Sequence, residues 1–532
     1  MKLFISPDVN IAPHGIKRVL EAMHRYLPEF GIEIVDNEAD ADLVNVHAAA
    51  FVDTMKPVVY SSHGLYWADH EWGDGFKGAN QAMIDYMTRA QAITAVSDWV
   101  AHAINRGMAR KAEVVYHGVD TEQWYPGGEP GGYVLWNKAR ADQVSNPDDM
   151  QRLAASLPDV PFVTTIGQET PNVRVTGPMP HDEMQQYVRG AGLYLATARE
   201  TMGIGTLEAM ACGVPVVGWN WGGQREIFEL CDSPNDWPGV LVEPGDYEAL
   251  TDAVRRVMAA RPFYAKNARA QAEEHWRWED KIEDYAVLFF KTLKDWQRDQ
   301  ERPKVSVIVT CYNLARYLPD ALESVRAQTL TDWECIVVDD CSTDNTKDVV
   351  MSFYDRDRRI FYQNTQQNRG LSGARNFGFE EANGRYILHL DADDVLAPNA
   401  LEVLSAFLDK YPGLGLAYGH MDILSEDGQR RDRDAHWPFE YFNWFGQIAH
   451  LHHLPYCAMM RREVLKSTGG YRVRDWRAED ASFAIRATSL GWRAEKVTQD
   501  SVLYWRKRTD SKSASERQTL ADGDGDWTSW FP

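Results

Sequence analysis

Three aspartates, Asp391, Asp393 and Asp394, stand within four residues at the end of the apolar run "ILHLDADDVL". Buried without partners, such carboxylates repel one another at a cost of several kcal/mol, so the cluster is expected to meet water or a cation. A second acidic pair, Asp339 and Asp340, ends the apolar run in "CIVVDDCSTD". Two acid-tipped strands facing one crevice suit a divalent cation bridging to a diphosphate, because hard Mg²⁺ or Mn²⁺ prefers carboxylate and phosphate oxygens. Upstream, "RETMGIGTLEAMACGVPVV" holds Glu200 and Glu208 with seven residues between them, across a turn bearing Gly203 and Gly205 that starts a helix. Such a turn presents backbone N–H groups at the positive end of a helix, where phosphate or sugar oxygens bind without a metal, and the glycines are expected to let them approach.

The elements that position these residues are short apolar strands alternating with amphipathic helices, the pattern of parallel sheets covered on both faces. Three such runs are separable. The first contains "KLFIS", "ADLVNVHA" and "KPVVYSSHG", and a cluster of Pro and Gly from Pro126 to Gly132 closes it as a hinge. The second runs from "YVLWNKARAD" through "GVLVEPGD" into a charged helical tail that Pro303 ends. The third opens with "KVSVIVTCYN". The expected units are 1–128, 129–275, a helical linker over 276–302, 303–515, and a tail over 516–532. In doubly wound sheets ligands bind at the carboxyl ends of strands, where both acidic clusters of the third run fall.

The chain has 532 residues and a net charge of −22, which argues against bulk binding of nucleic acid. Its six cysteines form no Cys-x-x-Cys pair and read as reduced core residues of a cytoplasmic protein. No signal sequence and no run of apolar residues long enough to span a membrane is found, which leaves peripheral contact with the inner face of the membrane open.

The stretch "VSVIVTCYNLARYLPDALESVRAQTLTDWECIVVDDCSTDNT" with "NRGLSGARNFGFEEANGRYILHLDADD" closely resembles the inverting family 2 glycosyltransferases of GT-A fold. By that resemblance Asp339 or Asp340 holds the nucleotide base beside the Tyr312–Asn313 loop. Asp391 lies near the ribose and Asp393 on an Mn²⁺ or Mg²⁺ ion, Asp391 sharing the metal motif. In "WRAEDASFAIR", Asp480 is then the base that deprotonates the attacking hydroxyl and Glu479 its neighbour. Arg508 stands where the family often has a metal-binding His, so either fewer protein ligands hold the metal or Arg508 meets the diphosphate itself. His450, His452 and His453 in "HLHHLP" are alternative ligands, although packing or acceptor contacts suit them better.

Residues 1–295 resemble the retaining family 4 glycosyltransferases of GT-B fold, through "HGIKRVLEAMHRYLPEFGIEIV", "VVYSSHGLYW", "AITAVSDWV", "VVYHGVDTEQWYP" and the Glu200–Glu208 stretch. The resemblance implies that Glu208 binds the ribose hydroxyls and Glu200 the transferred sugar. Gly15 would lie under the diphosphate and His63 would face the reaction centre. Lys138 and Arg140 stand near the family's basic clamp, with Val144 where its Lys is expected. His14, His47 and His117 read as packing residues.

The fold class expected is therefore α/β, two Rossmann-like domains followed by one GT-A domain. The function expected is two-site transfer from UDP- or GDP-sugars to a glycan or lipid-linked glycan. Two alternatives stand beside it: an N-terminal scaffold that only presents the acceptor, and transfer to modified DNA or a protein. The tail residues Trp527, Trp530 and Phe531 are expected to dock on the protein, a partner or a membrane.

Overall fold

The computed structural model describes residues 1–12, 14–48, 50–64, 74–107, 111–127, 131–138, 144–230, 233–428, 430–431, 458–473 and 479–508. Two compact units divide between Asp295 and Trp296. Arg140, His450, His452, His453 and the tail aromatics lie outside the described residues.

In the first unit, Glu33–Ile34, Lys2–Ser6, Leu43–His47, Val58–Ser62, Ala92–Ala95 and Ala112–Val114 form a six-stranded parallel sheet in that order. Leu43–His47 and Val58–Ser62 are buried at every position, which is why they read as apolar runs rather than alternating ones. A second six-stranded parallel sheet has the order Gly239–Val242, Val216–Trp219, Leu193–Ala196, Val134–Trp136, Phe162–Thr164 and Val173–Val175.

The segment expected as a linker behaves differently. The helix Trp278–Gln300 buries Trp278, Ile282, Tyr285, Ala286, Leu288 and Phe289, which share a core with Leu3, Val19, Leu20 and Leu43. That apolar face would cost roughly 2 kcal/mol per large side chain if left in water, so most of the helix closes on the first sheet, and its last turn runs past Asp295 into the second unit. Its entry is tight. A Cβ on Gly118 would lie 2.8 Å from the Trp278 backbone, beside the bridge between Val119 and Arg277.

In the second unit a nine-stranded mixed sheet begins with Ile360–Asn364, Trp333–Asp339, Val305–Cys311 and Tyr386–Asp391, all parallel. Met459–Arg461, Leu414–Leu424, Arg493–Arg506 and Val395–Leu396 continue it, with Arg430–Arg431 beside Leu414–Leu424. Register aligns Cys311 with Asp339 and Thr310 with Asp391. The two acidic clusters therefore flank the end of the central strand, at one edge of the sheet.

Candidate functional sites

In the second unit the loops after Val305–Cys311 and Trp333–Asp339 are laced together. Asn313, at φ 55°, accepts from Thr343 N at 2.7 Å and donates its own N–H to Ser342 Oγ at 3.0 Å. Tyr312 is left 50% exposed at the loop tip. Asp339 accepts from Ser342 N and from the Tyr362 hydroxyl, each at 2.8 Å. Asp340 accepts from Thr365 Oγ1 and Arg369 N, each at 2.8 Å, and so holds the turn that starts the helix Gly370–Glu381. Both carboxylates are buried parts of the loop framework beside the expected base site.

That same helix supplies a residue the sequence did not single out. Arg375 is 1% exposed, and its guanidinium reaches Asp480 Oδ1 at 2.5 Å, Asp391 Oδ1 at 3.4 Å and Glu479 Oε1 at 3.6 Å. A buried cation persists only when paired, and this one joins the strand-end Asp391 to the first turn of the helix Glu479–Ser489. Ser372, Gly373 and Ala374, buried beside it in "LSGARNFG", were the only sequence signal of a helix face too close-packed for a solvated Arg. Burial opposes its charge, but Asp480 and then Asp391 more than restore it, so its pKa is raised. Burial, followed by the neighbouring Asp480, pushes Glu479 up to about 7. Asp480 is raised by burial as well, with Arg375 pulling it back and Asp391 adding to the rise.

The Asp cluster divides its labour in a way that departs from expectation. Asp394 is buried, and its Oδ1 accepts from Arg506 N at 2.7 Å, fixing the end of Arg493–Arg506. Asp391 faces Arg375 and accepts from Thr310 Oγ1 at 3.0 Å. Asp393 Oδ2 lies 2.9 Å from Arg508 Nε. Burial and then Asp391 push Asp393 up to about 6, with Arg508 opposing. This donor set does not fit the expected Mn²⁺ or Mg²⁺ at Asp391 and Asp393, because guanidinium groups stand against the oxygens a hard cation needs. Among the described residues no group of three or more His, Cys, Asp or Glu is placed to hold a metal ion.

In the first unit the turn after Leu193–Ala196 meets the end of Val58–Ser62. Thr201 Oγ1 donates to His63 O at 2.7 Å, and Gly64, at φ 107°, packs its Cα against Thr201 with no room for a side chain. The loops that carry Glu200 and His63 therefore meet. Asn45 Nδ2 donates to Val59 O and Ser61 Oγ, each at 3.0 Å, so its Oδ1 is the atom facing His47 Nε2 at 2.6 Å. His47 must donate from Nε2, which leaves Nδ1 to accept from His63 Nε2 at 3.0 Å. His63 then carries its lone pair on Nδ1. Burial lowers the pKa of His63 to about 4, and that of His47 well below the usual range, with His63 the next cause.

Glu208 is 2% exposed on the helix Ile204–Ala211, with Oε1 2.8 Å from Arg18 and 3.6 Å from His181. Arg18, on the helix His14–Tyr26, was also missed. Buried Oε2 atoms of Glu208 and Glu200 have no hydrogen-bond partner, which suits acceptors for sugar hydroxyls. Lys138 lies 3.0 Å from Glu200 Oε1 and 3.2 Å from the Tyr194 hydroxyl, buried rather than reaching out as a phosphate clamp. Burial opposes its charge most strongly, but Glu200 and then Tyr194 together more than restore it, so its pKa is raised. Gly203 and Gly205 also sit where the fold leaves no room for a side chain: a Cβ on Gly203 would overlap the Gln224 amide, and one on Gly205 would lie 2.5 Å from the Tyr194 hydroxyl. Gly15 sits in the first turn of its helix with nothing within 4 Å of where a Cβ would project.

One unit thus sets a buried Arg between two carboxylates at the ends of parallel strands, and the other pairs Rossmann-like sheets beside buried acceptor oxygens. Residues 306–469 match the family described as glycosyl transferase family 2, residues 4–123 glycosyltransferase family 4, and residues 153–260 glycosyl transferases group 1. The chain belongs to the glycosyltransferases, with a family 4 and group 1 module followed by a family 2 domain. It is 32% identical over 222 residues to the putative glycosyltransferase EpsE of Bacillus subtilis, covering 40% of this chain and 76% of that one. It is 36% identical over 137 residues to the putative teichuronic acid biosynthesis glycosyltransferase TuaG of the same organism, covering 26% and 54%. Over 123 residues it is 35% identical to the Escherichia coli UDP-Glc:alpha-D-GlcNAc-diphosphoundecaprenol beta-1,3-glucosyltransferase WfgD, covering 23% and 47%. The chain thus spans about half the length of TuaG and of WfgD. The crystal structure of S. aureus TarS 1–349 with UDP-GlcNAc is 24% identical, covers 40% of this chain and 60% of that one, and has a TM-score of 0.35.

Proposed function

We propose that the chain transfers two sugars in succession from UDP- or GDP-sugars onto one growing polysaccharide or lipid-linked glycan. The N-terminal module retains anomeric configuration and the C-terminal domain inverts it. WfgD, named for a UDP-Glc donor and a diphosphoundecaprenol-linked acceptor, supports the donor and acceptor chemistry. Joining two transferases raises the local concentration of the intermediate glycan.

The observation that carries the C-terminal half is the Arg375 bridge between Asp391 and Asp480. An inverting displacement needs one carboxylate to take the acceptor proton, and Arg375 favours the ionised form of Asp480 and aims it until the proton arrives. Asp391 holds the same guanidinium beside the expected ribose position. In the N-terminal half, Glu200 and Glu208 offer their unpartnered oxygens to the sugar and the ribose, and neutral His63 accepts a hydrogen bond from a further hydroxyl at Nδ1.

The test is nucleoside diphosphate release from a panel of UDP- and GDP-sugars with a mixed glycan acceptor pool. Asp480→Asn is expected to abolish turnover of one donor and Glu208→Ala that of another. The second reading, an acceptor-binding scaffold at the N-terminus, is favoured by Lys138 being spent on Glu200. It replaces the first if every donor's turnover disappears with Asp480→Asn and none responds to Glu208→Ala.

A further inference from the structure

The segment Arg506–Arg508 is built into the second unit more firmly than a loop after a last strand requires. Arg506 is buried, donating its backbone N–H to Asp394 and its side chain to Asp393 O at 2.8 Å, Glu426 O at 3.1 Å and Asp320 Oδ2 at 2.7 Å. Two residues on, Arg508 is 12% exposed between Asp393, at 2.9 Å, and the Tyr317 ring, at 5.4 Å from its centroid. The Tyr317 hydroxyl is itself fastened to Glu426 Oε1 at 3.0 Å, so the aromatic wall is fixed. A long side chain gives up close to 2 kcal/mol of rotamer entropy to be held like this, which a merely solvated Arg would keep.

Resting on the reading of this unit as a nucleotide-sugar site, we propose that Arg508 takes the place of a divalent cation, its guanidinium carrying the charge of the departing nucleoside diphosphate. The charges at the site support this. Asp393 presents the carboxylate on which a metal would depend, and that carboxylate is already matched by one positive charge. A dication entering there would have to displace Arg508 and then sit within a few ångströms of it, a repulsion that a buried setting magnifies. A guanidinium is a natural substitute. Its planar fork pairs with two phosphate oxygens at once, it stays charged at any working pH, and it needs no oxygen ligands from the protein. As the acceptor oxygen bonds to the anomeric carbon, the bond from that carbon to the diphosphate oxygen breaks and leaves its electron pair on the β-phosphate; Arg508 with its N–H donors stabilises that anion, and the acceptor's proton goes to Asp480. Asp393 then orients the guanidinium instead of ligating a metal.

The experiment uses the full chain, with UDP and GDP as probes and Mn²⁺ followed by its paramagnetic resonance signal. The expected results are that adding the protein lowers the free Mn²⁺ signal no further than UDP or GDP alone does, that nucleotide binding to the C-terminal site survives EDTA, and that Arg508→Ala weakens it about tenfold. Arg508→His, which offers an imidazole in place of the guanidinium, is expected to bind Mn²⁺ together with the nucleotide and to make nucleotide binding sensitive to EDTA. Arg508→Lys, which keeps the charge without the fork, should fall between the parent and Arg508→Ala, and it guards against a loss caused by misfolding. The proposal is overturned if the parent protein binds Mn²⁺ stoichiometrically with a nucleotide and releases that nucleotide on adding EDTA. If the parent and the Asp480→Asn variant bind neither nucleotide at this site under any metal condition, the nucleotide-site reading falls and takes the proposal with it.

Discussion

Arg375 decides what its neighbours can do. Its guanidinium faces Asp391, Glu479 and Asp480 from a buried helix, so the two carboxylates of the Glu479–Asp480 pair titrate as one system that shares a single cation. A base works ionised, so C-terminal turnover should rise with pH along an acid limb that lies above the ordinary carboxylate range, because burial raises Asp480 more than Arg375 lowers it. Removing the cation with Arg375→Gln leaves the raising influences on Asp480 unopposed, and the acid limb of the pH–rate profile should move to higher pH with a loss of roughly a hundredfold or more at pH 7. Arg375→Lys keeps the charge and should keep the position of the limb while lowering the plateau, because one ammonium cannot span Asp391 and Asp480 as the fork does. An unchanged limb in Arg375→Gln, measured by nucleoside diphosphate release, would mean that Asp480 is not the base.

At the scale of elements, the helix Trp278–Gln300 shows how a charged, amphipathic stretch is assigned by what it covers. Phe289 is fully buried against the first sheet's core, whereas Val287, two residues away, is 60% exposed. Phe289→Ala should therefore cost the first unit about 3–5 kcal/mol, from lost transfer energy and a residual cavity. Val287→Ala should be close to neutral. Denaturant unfolding of the two variants checks this, and equal, small effects would restore the role of a linker. The strand ends make a similar point for the second unit. Parallel register sets Asp339 and Asp391 on either side of Cys311 and Thr310, so one insertion within Val305–Cys311 would move both acidic clusters out of step with the loop they share.

At the scale of the whole molecule, the two units should respond to acid in opposite senses. His47, His63 and His117 are held neutral by burial, His63 down to about 4 from an ordinary 6.5. Between those values the unfolded chain binds protons that the fold does not, so the first unit loses stability as pH falls, by up to about 1.4 kcal/mol per histidine per pH unit. In the second unit Glu479 at about 7 and Asp393 at about 6 bind protons in the fold that the unfolded chain releases down to its ordinary carboxyl range near 4, so their contribution grows as pH falls across that window, with the lowered His389 opposing it. Calorimetry from pH 7 to pH 5 should show the first unit's transition dropping further than the second's, and parallel shifts of both would contradict the neutral histidine cluster. Strand and helix runs, the order of the modules and the acidic motifs were all legible in the sequence, because periodicity and motif spacing are properties of neighbouring residues. What the sequence could not determine was which charges meet across elements. Arg375 is more than a hundred residues from Asp480, Arg18 is still farther from Glu208, and Lys138 finds Glu200 rather than open solvent. Only folding brings those pairs within a few ångströms, where burial makes each charge depend on the other.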